Sequence, residues 1–283
     1  MPVTPPAPLP EPLPYERLRL FLRTHLAGQR LLHVAVLGPH GCGFGSAQAP
    51  FELKGVYIEP TETLVGLAEP PRATNWVGEL EGLRIDYSAY EVGHALRALL
   101  RGDGSVLERL LAPEQLVESA ELAALRALLA GVICQRFHPH YSHVGRSLRQ
   151  PVESGQAPSL LHVLAGCRAA LTGGHLLRSG EVVLSLPALA LRYDLQQEVA
   201  PLIEQSRRDD AAIVEPAGRA IKLLLRLQAF LEESGDLSDL PLDPLAPGPV
   251  EQFLLELRRR FFDAITVESP APAVGRGDGP TGS

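Results

Sequence analysis

The amino-acid sequence predicts an α/β (α+β) fold in its N-terminal part and an all-helical C-terminal region. Two observations support this prediction. An apolar run with β-branched positions, residues 31–37, leads into a glycine-rich segment and then a second strand-like run, residues 51–58. After residue 113 the pattern changes to long segments with the apolar spacing of helices. We therefore expect a small mixed sheet with flanking helices, followed by helices alone.

The N-terminal elements are predicted, in chain order, as a helix over residues 15–29, strands over 31–37 and 51–58, a loop over 61–73, a hairpin of strands over 75–80 and 83–87, and helices over 88–100 and 105–111. The turn dipeptide Glu81-Gly82 between two alternating runs is typical of a hairpin. Ser88, with Glu91 three positions later, predicts the N-cap of the helix that follows.

The C-terminal helices are predicted over residues 114–130, 137–149, 158–172, 187–207, 211–234 and 248–264. This pattern divides the chain into an α/β domain, residues 15–112, and a helical domain, residues 113–266. A proline-rich arm, residues 1–14, and a Pro/Gly/Ser-rich tail, residues 267–283, flank the two domains and are predicted to be disordered.

Composition narrows the class of protein. The formal net charge of −7 argues against broad, nonspecific nucleic-acid binding. The 3 cysteines are far apart in the sequence, which predicts reduced thiols in a cytoplasmic protein. We expect no membrane association, because no uninterrupted apolar run reaches the roughly 18 residues of a membrane span and the N-terminus lacks the features of a signal peptide.

The glycine segment, residues 38–45, and the strand after it carry a family motif. Gly38 and Gly43 hold the glycine positions of the pattern G-S-x-A-Y-G, and Lys54-Gly55-Val56-Tyr57 ends the strand that reads S-D-x-D-x-x-G-V/I-F/Y. The chain thus resembles the nucleotidyltransferase superfamily, and within it the bacterial predicted nucleotidyltransferases of the RNA-repair, DNA-polymerase-beta type. Further fits to this family are Asp86, Tyr90, Leu99, Gly102, Val106, Glu108, Leu110, the pair His140-Tyr141 and Arg168.

The resemblance implies a nucleotidyltransferase-like fold and transfer of a nucleotidyl group from an NTP to a hydroxyl, with Mg²⁺ as cofactor. Two-metal chemistry of this kind needs clustered carboxylates, and alternation along a strand brings residues i and i+2 to one face. Here that pair is Pro50 and Glu52, because proline stands at the first metal-binding Asp of the motif. Glu52 and Asp86 are the candidate catalytic and metal-binding residues. Whether they hold one metal ion or are solvated strand-end acids is left open.

The candidate nucleotide-binding residues are those that match the family motif or its helical segments. They are Gly38, Pro39, His40, Gly43, His140, Tyr141 and Arg168. Backbone N–H groups of the glycine turn could cradle a phosphate. However, Pro39 stands where the family has Ser and removes one N–H, so a purely structural turn is an equal alternative.

Two other signals have both a functional and a structural interpretation. His138, His140 and His143 could form a zinc site, but Pro139 interrupts their spacing, which favours an ordinary helix start. Cys42 in the glycine turn could be a reactive thiol if its surroundings were electropositive. A small buried thiol is the favoured interpretation.

The function that we expect is therefore that of a nucleotidyltransferase-family protein with degraded activity, a pseudoenzyme that retains nucleotide binding. The sequence does not indicate whether the acceptor is RNA, a small molecule or a protein. The alternative is a non-catalytic structural or protein-interaction module with the same fold, in which the proline-rich arm recruits protein partners.

Overall fold

The computed structural model describes residues 13–67, 69–153, 158–208 and 218–262. Within these residues, strands form one 5-stranded sheet. They are β1 (Arg30–Leu37), β2 (Phe51–Ile58), β3 (Ala73–Leu80), β4 (Leu83–Glu91) and β5 (Gln115–Glu118). The strands predicted over residues 31–37, 51–58 and 83–87 are confirmed, and so is the hairpin at Glu81-Gly82. The proline-rich arm, apart from its last residues, and the C-terminal tail lie outside the described residues.

The sheet is mixed, as expected. Its strand order is β3-β4-β2-β1-β5. The β2–β4 pair is parallel, whereas β1–β2, β1–β5 and β3–β4 are antiparallel. Because β2 and β4 run in the same direction at the centre of the sheet, their first residues lie side by side at the sheet end where the glycine turn also lies.

The helices flank the sheet and then form the C-terminal region, which confirms the predicted fold class. They are α1 (Tyr15–His25), α2 (Gly38–Gly41), α3 (Thr61–Val65), α4 (Val92–Leu100), α5 (Gly104–Leu111), α6 (Ala120–Leu128), α7 (His138–Glu153), α8 (Leu160–Ser179), α9 (Leu186–Arg192), α10 (Gln196–Arg208), α11 (Arg219–Asp236) and α12 (Pro247–Phe262).

Each face of the sheet is covered by a different group of helices. Leu18 and Phe21 of α1, three residues apart on one helical face, pack with Tyr57 and Tyr87 on one side. Val56 faces the other side, where a larger core includes residues from α4 to α12. The sheet is therefore the middle layer between α1 and the helices that contribute to the larger core.

One predicted helix start is wrong. Ser88 does not cap a helix, because β4 continues through it and pairs with β2 as far as the Tyr57–Glu91 register pair. Glu91 is the N-cap instead: its carboxylate accepts hydrogen bonds from the N–H groups of Gly93 and His94, at 2.8 and 3.2 Å. The helix does have a side-chain N-cap, but it begins three residues later than predicted. Strand pairing extends β4 through Ser88, because this pairing buries Tyr87 and Ala89.

The C-terminal pattern also differs in its details. β5 replaces the first residues of the helix predicted over 114–130, since Val117 and Glu118 pair with β1. The helix predicted over 187–207 is two helices, broken next to Asp194, whose φ of 57° no helix interior adopts. A short helix, α3, begins the segment predicted as a loop. The division into domains at residue 112 stays a prediction.

Among the described residues, α8 is long and apolar enough by length and composition to cross a membrane, with a mean hydropathy of 1.2. However, 78% of the apolar window is buried inside the protein. Burial of this kind is typical of the core helix of a soluble protein, and Cys167 and Leu171 of α8 indeed contribute to the main core.

Candidate functional site

The two candidate acids come together at the end of the sheet. Glu52 on β2 and Asp86 on β4 are direct register partners in the parallel pair. Neighbouring strands lie about 4.8 Å apart, so the two carboxylates start from adjacent backbone positions. Both side chains are partly exposed, on the face opposite to Leu53 and Tyr87. The structure thus brings Glu52 and Asp86 together, as the shared site requires. Their catalytic and metal-binding roles stay predictions.

A lysine completes this strand-end cluster. Lys54 lies two residues after Glu52 and therefore on the same face of β2. Its Nζ lies 3.6 Å from Glu52 Oε2 and 3.5 Å from Asp86 Oδ1. The Lys54 side chain is only 16% exposed, whereas those of Glu52 and Asp86 are 31% and 40% exposed. The Lys54 side chain is thus more buried than those of the two acids with which it pairs.

The donor set does not fit a pair of Mg²⁺ ions. Magnesium takes oxygen ligands in near-octahedral geometry, and two-metal sites hold both ions with shared carboxylates. Pro50, just before β2, has no side-chain oxygen. In the part of the chain that the structure describes, no group of three or more His, Cys, Asp or Glu side chains could hold a metal ion. The Lys54 ammonium also adds a positive charge where an ion bound to both acids would lie.

The glycine turn begins beside Glu52. Gly38 has a φ of 60°, and a Cβ atom there would lie 2.4 Å from Glu52 Cδ, so the Glu52 carboxyl group packs directly on the Gly38 backbone. Residues 38–41 form the short helix α2 rather than an open loop. The N–H groups of Cys42 and Phe44 donate to the carbonyls of Gly38 and Pro39, at 2.9 Å each. These two N–H groups are therefore used inside the turn.

The C-terminal helices cover the turn. The Leu186 N–H donates to the Cys42 carbonyl at 2.9 Å, and the Arg207 guanidinium donates to the Gly43 carbonyl at 3.3 Å. A Cβ atom at Gly43 would lie 3.0 Å from the Pro187 ring. Cys42 is buried, and its burial raises the pKa of the thiol to about 12. The structure thus bears out a small buried thiol rather than a reactive one.

His40 joins the turn to β2. Its ring stacks on Phe51 at 4.0 Å between centroids, and its Nε2–H donates to the Ala49 carbonyl at 3.0 Å. Burial lowers the pKa of His40 below its ordinary value, against the opposing effect of the nearby Glu52. Burial thus disfavours a positive charge on this imidazole.

Arg168 and Tyr141 lie in a second cluster, deeper in the molecule. The Arg168 guanidinium forms an ion pair with Glu108 of α5, and the two side chains are 17% and 10% exposed. Tyr141 of α7 lies near this pair, and burial raises the pKa of its hydroxyl well above its ordinary value. Cys42 lies within electrostatic reach of Glu52 as well as of the Arg168–Glu108 pair. The covered turn thus separates the strand-end cluster from this buried ion pair.

The histidines of α7 do not converge on one point. His140 packs against Gly104, with its Nδ1 3.6 Å from Asp103 Oδ1, and burial lowers the pKa of its imidazole. His138 Nε2 lies 3.0 Å from Glu232 Oε2, and His143 is exposed. His138 is the first residue of α7, so the favoured interpretation as a helix start is confirmed.

Two residues matter more in the structure than the sequence indicated. The motif match gives Lys54 no role of its own, although its i+2 spacing from Glu52 predicts that the two share a face. Glu108 matches a family position, but nothing in the sequence indicates Arg168 as its partner 60 positions away.

Comparison with known proteins gives one family match and a similar solved structure. A family model described as RlaP, the RNA repair pathway DNA polymerase beta family, matches residues 15–247. Among solved structures, the chain is similar to a nucleotidyltransferase-like protein from Exiguobacterium sibiricum 255-15. The identity is 13%, the match covers 87% of this chain and 80% of that chain, and the TM-score is 0.32. A comparison with curated proteins gives no match.

Proposed function

The chain belongs to the RNA repair pathway DNA polymerase beta family, and we propose that it is a member which binds a nucleotide but transfers nucleotidyl groups weakly or not at all. Membership supports a general role in the nucleotidyltransferase class. The finer proposal concerns the activity of the strand-end cluster in this chain and whether Mg²⁺ takes part in it. The acceptor could be RNA, a small molecule or a protein.

The observation that carries this proposal is the make-up of the strand-end cluster. It holds Glu52 and Asp86 with an ammonium between them, and Pro50 takes the first acidic position of the family motif. A metal ion that neutralises phosphate charge contributes several kcal/mol to the transition state. Its loss corresponds to a rate lower by on the order of a thousandfold. Nucleotide binding, in contrast, needs a place for the base and a positive charge near the phosphates, and in this proposal Lys54 supplies that charge.

The proposal places the nucleotide at the sheet end formed by Glu52, Lys54 and Asp86, next to His40 and Gly38. The side chains there are partly exposed, so a ligand has access. The buried pair of Arg168 and Glu108 and the hydroxyl of Tyr141 support the turn from beneath in this proposal, and do not contact the ligand.

Two measurements on one protein sample test the proposal. Calorimetry with ATP and UTP is expected to show binding, and transfer of labelled AMP or UMP with Mg²⁺ or Mn²⁺ is expected to stay near background. Glu52→Gln serves as the matched variant, because it keeps the shape of the side chain and removes one charge. Robust turnover by wild type would contradict the proposal, whether or not Glu52→Gln abolishes it.

One observation favours a second function, that of a non-catalytic interaction module. The carbonyls of Cys42 and Gly43 accept hydrogen bonds from the C-terminal region, so the turn also serves as packing surface. In such a module the fold would be a stable scaffold for protein partners, and the turn would hold no ligand. No binding of any nucleotide in the calorimetry, by a folded protein, would favour this second function over the first.

A further inference from the structure

We infer that the Lys54 ammonium is the resident cation of the strand-end site, and that it excludes divalent ions from the pair Glu52 and Asp86. Lys54 would thus determine the specificity of the site for cations. This inference deepens the proposed function, because it identifies what holds the two acids together where the donor set does not fit Mg²⁺.

The backbone itself brings the acids together. Glu52 and Asp86 face each other across a parallel strand pair, and like charges directly opposite each other destabilise a sheet. The cluster therefore needs a positive charge in this place. Lys54, on the same strand and face as Glu52, lies within 3.6 Å of Glu52 and 3.5 Å of Asp86. One ammonium thus pairs with both acids and offsets one of their two negative charges.

Two other cations of this part of the sheet form contacts elsewhere. The Arg109 guanidinium donates to the Ser88 carbonyl at 2.9 Å and stacks over the Tyr90 ring at 4.0 Å. Arg84 donates to the Gln48 carbonyl at 3.0 Å. Neither forms an ion pair with Glu52 or Asp86 within the described residues. Lys54 is thus the cation whose removal leaves these two acids without a counter-charge.

This arrangement has a consequence for metal ions. A divalent ion bound to both carboxylates would have to displace the ammonium or bear its repulsion at close range. Lysine carries a compact point charge on a flexible stem, so it can fill the space between two carboxylates without fixed geometry. Removing its charge leaves two oxygen ligands side by side, which is a nucleus for a divalent site.

The test is a titration of the full-length protein with Mn²⁺, in which electron paramagnetic resonance measures the free ion. Lys54→Met keeps the aliphatic stem and removes the charge. We expect it to bind Mn²⁺ at least tenfold more tightly than wild type does. Lys54→Arg retains the charge and is expected to behave as wild type. Glu52→Gln combined with Lys54→Met is expected to lose the gain.

Lys54→Gln is a second neutral variant, in case the methionine disturbs folding. Equal Mn²⁺ affinities of folded wild type and a folded neutral variant would overturn the inference. So would tight binding of Mn²⁺ by wild type that Glu52→Gln abolishes. If both neutral variants fail to fold while Lys54→Arg folds, the charge maintains the fold and not the site, and the inference is wrong.

Titration of the same samples with ATP separates the inference from the proposed function. A gain of Mn²⁺ affinity in Lys54→Met without any nucleotide binding by wild type would support the resident cation and contradict the proposed function. Nucleotide binding by wild type without a gain of Mn²⁺ affinity in Lys54→Met would support nucleotide binding and contradict the inference about Lys54.

Discussion

Two of the places where carboxylates meet a cation in this molecule differ in balance and in access. Arg168 and Glu108 form a one-to-one pair between α8 and α5, with side chains 17% and 10% exposed. The strand-end cluster sets one cation, Lys54, against two acids whose side chains are 31% and 40% exposed. A balanced buried pair has no spare charge for a ligand. An unbalanced cluster that solvent reaches retains one uncompensated negative charge.

We interpret this difference as a division between residues that maintain the fold and residues at which the chemistry of the family has changed. Both clusters lie at positions that match the family pattern. In the match to the family motif, it is the strand-end cluster that has a proline, Pro50, at the first acidic position. We therefore expect substitutions in the buried pair to act on stability, and substitutions in the exposed cluster to act on ligands.

The largest effect is expected from Arg168→Met. It leaves Glu108 buried without a partner, which costs roughly 3–5 kcal/mol of the free energy of unfolding. Urea denaturation of wild type and variant measures the loss. The double variant Glu108→Gln with Arg168→Met is the matched control and should be more stable than Arg168→Met alone. A single variant within about 1 kcal/mol of wild type would show that the pair is not a structural requirement.

His33 of β1 is a buried group outside both clusters, and it makes the stability of the fold depend on pH. Its Nε2–H donates to the Arg109 carbonyl at 2.6 Å. Burial lowers its pKa from 6.5 to about 4. The unfolded chain therefore binds more protons between these two pH values, so stability is full above pH 6.5 and falls as pH decreases towards 4. The decrease amounts to up to about 3 kcal/mol.

His33→Gln should remove this contribution. Urea denaturation of both proteins at several pH values measures it, and the difference between the two slopes isolates His33 from the acids that titrate in the same range. Parallel pH profiles for the two proteins would contradict the prediction.

Gly38→Ala is expected to have an intermediate effect at the junction of turn and site. Its left-handed φ of 60° costs about 1–2 kcal/mol for a residue with a Cβ, and the new methyl group would push the Glu52 carboxyl away from Lys54. Gly28→Ala is the matched control, since a Cβ there would meet nothing within 4 Å. Equal thermal stability of the two alanine variants would contradict the close packing of Glu52 on Gly38.

The smallest effect on stability is expected from Lys54→Met. Ion pairs that solvent reaches contribute about 0–1 kcal/mol, so we expect the free energy of unfolding to change by less than about 1 kcal/mol. Urea denaturation measures this change. If Lys54→Met lowered the free energy of unfolding as much as Arg168→Met does, the prediction that the two clusters have different roles would be wrong.

The sequence predicted the frame because the frame depends on local patterns. The strands over residues 31–37 and 51–58 are short apolar runs with clear breaks, and the hairpin has its own turn dipeptide at Glu81-Gly82. β5, in contrast, is only four residues long and depends on pairing with β1. At Ser88 the local pattern predicts a helix N-cap, but the pairing of β4 with β2 extends the strand through this residue.

The site was predicted only in part, for a similar reason. Pro50, Glu52 and Asp86 could be placed by matching a motif, and their alternation gave the shared face. The position of Lys54 between both acids depends on the parallel register of β2 and β4, which no local pattern fixes. The burial of the glycine turn under Pro187 and Leu186 depends on helices more than 140 positions later, as the 2.9 Å hydrogen bond from Leu186 to Cys42 shows.

The most direct test of the central claim is the Mg²⁺ dependence of nucleotide binding in wild type and Lys54→Met. Calorimetry with ATP, in Mg²⁺ and in EDTA, gives a ratio of affinities for each protein. Dividing one ratio by the other cancels the effect of Mg²⁺ on free ATP. We expect Mg²⁺ to favour binding to Lys54→Met at least tenfold more than binding to wild type. Equal ratios, with both proteins folded and binding ATP, would show that Lys54 does not take the place of a divalent ion.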